Sequence, residues 1–196
     1  MNNLTPIFSS FYTRKNLNSI IDVKQFEVGA YECARNDSGI HVSNCGGYHS
    51  SIYSQFNDSK QNLIDIIDFE IDEVAKELEL KSKLKVSAFW YNISGNKDFN
   101  KIHSHMKSVL SGVYYVKVPK NSGGLVFDCP QSELMMSYLS YWHIDYNPNQ
   151  YTSKTWTVLP EEGDLVIFPS WLSHYTEPNM STDDRISISF NTSLCQ

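Results

Sequence analysis

The spacing of hydrophobic positions along this chain changes character near residue 83. Within residues 61–80, Leu63, Ile64, Ile67, Ile71, Val74 and Leu78 recur at intervals of three and four. Asp65, Asp68, Asp72, Glu73, Lys76 and Glu77 fill the other side. That period predicts an amphipathic helix packed on a sheet, with Ser59 placed to cap its start. From Leu84 onward the apolar residues fall in short β-branched and aromatic runs: 86–93, 112–118, 125–128, 155–159, 165–168 and 185–191. Turn-forming stretches separate them, most clearly 119–124 and 161–164. Many short strands with frequent turns predict a sandwich or barrel, and no βαβ alternation is visible. The expectation is one domain over 1–196, mainly β, with an N-terminal helical and irregular part over 1–82 and a β core over 83–196.

Two segments fit neither period. The Asn- and Ser-rich stretch 36–59, with Gly46-Gly47 at its centre, reads as loop. The polar-aromatic segment 131–154 reads as a hairpin or flap over a site, or as aromatics laid on the sheet.

Composition narrows the functional classes. A hydrophobic fraction of 41% and a charged fraction of 19% suit a chain that buries a core, and 13% aromatic residues lean toward pleated structure. The net charge is −6 and no Lys/Arg run exceeds two residues, which argues against nucleic acid as a partner. No stretch approaches membrane-spanning length, and no secretory pattern opens the chain, so a cytoplasmic location is expected. Cys33, Cys45, Cys129 and Cys195 form no CxxC pair and are expected to be reduced thiols outside any zinc site.

Chemistry concentrates in a few positions. His103 and His105 flank one residue, so on extended backbone both imidazoles project to the same side and can reach one metal. His174 follows the run 165–168 and could supply a third ligand, leaving open positions on an iron. Alone, H-x-H also fits two solvated loop residues. Arg185 lies eleven residues after His174 and opens an apolar strand, where Ser187 shares its face; together they offer a guanidinium fork and a hydroxyl for a carboxylate.

Five motifs then stand in a consistent order: His103-Ser104-His105, Ser111-Gly112-Val113-Tyr114-Tyr115-Val116, Gly123-Gly124-Leu125-Val126-Phe127, Phe168-Pro169-Ser170-Trp171-Leu172-Ser173-His174 and Arg185-Ile186-Ser187-Ile188-Ser189-Phe190-Asn191. In these the chain resembles a family of 2-oxoglutarate/Fe(II) oxygenases distantly related to prolyl hydroxylases. Asn44-Cys45-Gly46-Gly47-Tyr48-His49-Ser50 is similar to an N-terminal motif of the same family. The resemblance implies a double-stranded β-helix (jelly-roll) core and iron held by His103 and His174. It also implies 2-oxoglutarate as cosubstrate, with its distal carboxylate on Arg185 and Ser187 and dioxygen as co-reactant. Tyr115 matches a tyrosine that such enzymes add from the strand after the first ligand, or it packs in the core. Asn92 could touch the cosubstrate from the preceding strand, or cap a turn. The implied activity is hydroxylation of an unidentified substrate, with a peptide or protein side chain suggested by the prolyl hydroxylase kinship.

One departure stands out. The superfamily usually carries H-x-D or H-x-E, whereas His105 holds that place here and would give a three-histidine site without a carboxylate charge. His143-Ile144-Asp145 is a literal H-x-D, but the interval from Asp145 to His174 barely fits the strands a jelly roll needs. His105 is therefore the expected third ligand, with Asp128 and Asp145 as reserve carboxylates. Two other functions remain open: a cupin-like three-histidine dioxygenase without 2-oxoglutarate, and a non-catalytic jelly-roll binding module.

Overall fold

The computed structural model describes residues 4–54 and 58–195. In chain order the elements are β1 (Thr13–Asn16), α1 (Val23–Asn36), β2 (Asn44–Cys45), β3 (Tyr48–His49), α2 (Asp58–Glu77), β4 (Leu84–Ser94) and β5 (Phe99–Asn100). There follow β6 (Leu110–Lys117), β7 (Leu125–Asp128), α3 (Ser132–Tyr141), β8 (Thr155–Val158), β9 (Asp164–Pro169), β10 (His174–Thr176) and β11 (Arg185–Leu194). An antiparallel six-stranded sheet runs β1-β9-β6-β11-β4-β3, and a three-stranded sheet runs β10-β7-β8. The short pair β2–β5 completes the set, and isolated bridges join Tyr53 to Phe89 and His103 to His174.

The six-stranded sheet is buried on both faces, and the strand period separates two different interiors. Phe89, Tyr91 and Ile93 of β4, Ile186, Ile188 and Phe190 of β11, and Tyr114 of β6 face the helices. There they meet Phe26 and Ala30 of α1 and Leu63, Ile67 and Ile71 of α2. The opposite parity gives a second cluster between the sheets: Val113, Tyr115, Val166 and Phe168 against Leu125, Phe127, Val158 and Leu172. On β4 and β11 this second face carries Asn92, Ser94, Arg185, Ser187 and Ser189, all polar and all between the two sheets or at the cavity there. A strand whose polar side is turned inward needs something polar to serve.

The predicted β core and helical layer are both present, and differences lie at the edges. The first 82 residues also supply strands, because β1 pairs with β9, β3 with β4 and β2 with β5. α1 escaped the pattern: only Phe26 and Ala30 of its fourteen residues are fully buried, too narrow a stripe to show a period. It is anchored by Asp22, whose carboxylate caps the Lys24 amide. α2 begins at Asp58, before the expected start, and ends at Glu77, so Leu78 drops out of the buried stripe and is 39% exposed. The side chain of Ser59, expected as its cap, lies outside the described residues. Segment 131–154 is neither the hairpin nor the layer of aromatics on the sheet that its composition suggested: α3 occupies its first half, and Tyr141 and Trp142 are exposed and pack on each other.

Gly112 on β6 fixes how closely the middle strands pack. A Cβ there would overlap the Phe190 ring and stand 2.6 Å from the Val166 carbonyl oxygen. The ring could shift, but the carbonyl belongs to the sheet. Gly112→Val should therefore lower stability by about 1–3 kcal/mol through overpacking, read as an earlier midpoint in urea with an unchanged slope.

Candidate metal centre

His103, His105 and His174 converge. Their nearest ring nitrogens all lie within 4.8 Å of one another, and their ring centroids are 4.4 to 5.2 Å apart. The backbone brings them there by a different route from the one expected. His103 sits in an isolated bridge, not on a regular strand: its amide donates to the His174 carbonyl at 3.0 Å and its carbonyl accepts from the His174 amide at 2.9 Å. The His105 amide donates to Ser170 at 2.8 Å, so the extended parity continues and both imidazoles keep one side. His174 opens β10, which pairs with β7.

Two rings are held by the main chain. Nδ1 of His103 donates to the Lys101 carbonyl at 2.7 Å, and Nδ1 of His174 to the Leu172 carbonyl at 2.8 Å. Each neutral imidazole then keeps its Nε2 lone pair free for a cation. Burial depresses all three basicities. Desolvation, with the neighbouring His103, brings His105 down to about 4 and His174 to about 3, and His103 is also lowered. Protons therefore compete little with a metal at neutral pH. Among the described residues no carboxylate joins the cluster. The reserve residues Asp128 and Asp145 do not line the cavity beside it.

That cavity, of about 350 Å³, opens next to the histidines. Its far wall is the inward row of the six-stranded sheet. Register places Ser187 beside Asn92 on one neighbour and Tyr115 on the other, with Arg185 opposite Ser94. All four expected cosubstrate residues, Arg185, Ser187, Tyr115 and Asn92, line this one space. The Asn92 amide donates to Ser189 Oγ at 3.0 Å and caps no turn. Tyr115 is buried, and burial lifts its hydroxyl to about 12 against the pull of Arg185, so it stays a donor.

Arg185 is only 4% exposed. Its guanidinium donates to the carbonyls of Ser122 and Glu177 and, at 3.1 Å, to Thr176 Oγ1. Burial lowers its basicity, opposed by Tyr115, Glu177 and Asp98, but a guanidinium remains charged. No carboxylate forms an ion pair with it among the described residues, and no Asp or Glu lines the cavity. A buried cation held by carbonyls and a hydroxyl, with no carboxylate paired to it among the described residues, suits an anionic ligand. The donor set thus fits both a divalent metal and a dicarboxylate.

Thr176, Trp90 and His49 are among the cavity residues that sequence reasoning gave no role in the site. Thr176 accepts from Arg185 and, at 2.8 Å, from the Asn100 amide. Trp90 and His49 form part of the wall. Trp90 was accessible through strand parity with Asn92. His49 lay inside the Asn44–Ser50 motif but carried no period. Trp171 is 55% exposed and does not line the cavity. Nor does any residue of 131–154, so the segment forms no flap over this space.

A family model described as "Putative 2OG-Fe(II) oxygenase" matches residues 88–191. No curated protein matches in sequence. Among solved structures, a Pseudomonas putida prolyl-4-hydroxylase is 15% identical, with 92% of this chain and 91% of that one covered and a TM-score of 0.60. A viral collagen prolyl hydroxylase from Paramecium Bursaria Chlorella virus-1, in its 2OG complex, is 12% identical, with 92% and 94% covered and a TM-score of 0.58. A Trichoplax adhaerens prolyl hydroxylase, in complex with a hypoxia inducible factor peptide fragment, is 14% identical, with 92% and 82% covered and a TM-score of 0.63. The fold is the double-stranded β-helix of these enzymes, as expected.

The depressed histidines give the metal-free protein a defined acid response. An unfolded histidine takes a proton near pH 6.5, whereas His105 and His174 in the folded state wait until about 4 and about 3. The unfolded state therefore binds more protons between those limits, and stability falls as pH falls, by up to about 1.4 kcal/mol per pH unit for each histidine. Urea midpoints of metal-free protein should drop steadily from pH 7 to pH 4.5, and His174→Gln should flatten that slope.

Proposed function

The chain belongs to the 2OG-Fe(II) oxygenase family, and from that premise we propose that His103, His105 and His174 hold its iron while Arg185 and Ser187 hold the distal carboxylate of 2-oxoglutarate. The protein is a 2-oxoglutarate- and Fe(II)-dependent oxygenase whose primary substrate is unidentified. Iron and 2-oxoglutarate, when bound, would with dioxygen supply the chemistry, one oxygen atom ending in succinate as CO₂ is lost and the other in the hydroxyl group formed at a substrate C–H bond.

The protein's own share is positional. The observation that carries the reading is a buried, unpaired guanidinium in the same cavity as three convergent neutral imidazoles. Arg185 anchors one end of a dicarboxylate, the Ser187 and Tyr115 hydroxyls donate to it, and the histidines fix the other end at the metal. Asn92 shapes the wall through its bond to Ser189. His49 and Ile52 line the cavity together with β4, β6 and β11, which supports a single working unit over the whole chain. The likeness to prolyl hydroxylases supports a peptide side chain as the primary substrate class. Among the described residues no helix is long and apolar enough to cross a membrane. With four free cysteines, this supports a reducing, cytoplasmic setting.

The anchor is testable apart from the metal. In protein loaded anaerobically with Fe(II) or Mn(II), Arg185→Ala should weaken 2-oxoglutarate binding by about thirty- to several-thousand-fold, the equivalent of removing one partner of a desolvated charge pair. Metal affinity should stay near that of the parent. Arg185→Lys should recover only part of the loss, since lysine restores charge without the fork. Calorimetry on folded variants reads both, and an unchanged 2-oxoglutarate affinity in Arg185→Ala removes Arg185 from the site.

A further inference from the structure

The three imidazoles are not held alike. His103 and His174 each spend one ring nitrogen on a main-chain carbonyl. His105 makes no ring hydrogen bond to any described residue. Besides the other two imidazoles, at 5.0 and 5.2 Å, the ring beside it is the Trp90 indole, 5.8 Å away and tilted by 52°. Beyond Trp90, the His49 ring stacks on the indole at 5.5 Å with only 11° between the planes.

That outer ring is itself fixed. His49 is 4% exposed, and its Nδ1 donates to the Ser50 carbonyl at 2.7 Å. The Ser50 hydroxyl accepts the Tyr91 amide at 3.0 Å, which ties this loop to β4. Gly46 and Gly47, both at positive φ, let β3 come close: a Cβ on Gly47 would stand 2.5 Å from the Ile93 carbonyl oxygen, and one on Gly46 would overlap the Asp98 carboxylate. β3 then pairs His49 with Asn92, two residues from Trp90 on the inward side. The Asn44–Ser50 motif thus ends by placing an imidazole flat against that indole.

We propose that Trp90 and His49 are positioning residues for His105, a ring column that sets the direction of the third imidazole where no carbonyl does. This rests on the reading of the three histidines as metal ligands. An imidazole presents one lone pair along one line in its plane, so its rotation decides whether it can bind. A carboxylate offers two oxygens and tolerates rotation. A histidine in the place of the usual aspartate or glutamate therefore needs an orienting surface that a carboxylate does not, and outside the ligand set the Trp90 indole is the ring beside it among the described residues. Fixing the ring beforehand removes an ordering penalty from metal binding.

The test is Co(II) titration of the 196-residue protein under anaerobic conditions, read by affinity and by the visible spectrum, which reports the ligand set. Trp90→Leu and His49→Ala should each weaken Co(II) binding about tenfold or more and change the spectrum. Trp90→Phe and His49→Phe, which keep a flat ring, should retain most of both. In a His105→Asp background, Trp90→Leu should shift affinity by less than about twofold, because the group it orients is gone. Native affinity and spectrum in both Trp90→Leu and His49→Ala would overturn the proposal, as would equal losses in the two backgrounds. Should the Trp90 variants fail to fold, the contrast of His49→Ala with His49→Phe decides alone. Failure of the unaltered protein to bind Co(II) would overturn the metal centre and this proposal with it.

Discussion

Arg185 carries a full positive charge in a place that water hardly reaches, and much of the surrounding structure serves to make that tolerable. Carbonyls of Ser122 and Glu177 turn their oxygens toward it, and Thr176 adds a hydroxyl. The turn before β7 is shaped for this, since Asn121 and Gly123 take positive φ. These dipoles soften the desolvation of the cation but do not cancel its charge. In the proposed site the remainder falls to the carboxylate of the cosubstrate.

A sheet can host such a group only if one of its faces is released from ordinary core packing. The helices make that release possible here. α1 and α2 take up the apolar parity of β4 and β11, which frees the polar parity to line a cavity between the sheets. The alternation that normally separates core from solvent instead separates core from cavity. Phe127 and Phe168 close the gap beside His174 and keep its ring dry. Its low basicity follows from the same packing.

The sequence made these relations legible to different depths. The two-residue alternation of β11 was plain, and with it the pairing of Arg185 with Ser187. The three-to-four spacing of α2 was equally plain, because five of its apolar positions are buried on one wall. α1 was hidden because two buried side chains cannot establish a period. α3 was hidden for the opposite reason: Leu134, Tyr138 and Tyr141 are exposed, so no burial pattern marks the helix. The convergence of His103 with His174 is non-local and entered only through resemblance and strand parity. The placement of His49 depends on two glycines and a carboxylate far along the chain, which no local pattern encodes.

His103 and His174 are joined by two main-chain hydrogen bonds, one in each direction. Such a pair has the rigidity of a short rung of ladder: the residues cannot separate without breaking both bonds together. In the proposed centre, the bite between two ligands is therefore set before any ion arrives and survives after it leaves. Release of the ion through these two residues is then coupled to local opening of the sheet and not to side-chain rotation alone, so the lifetime of the bound state becomes a mechanical property of the backbone.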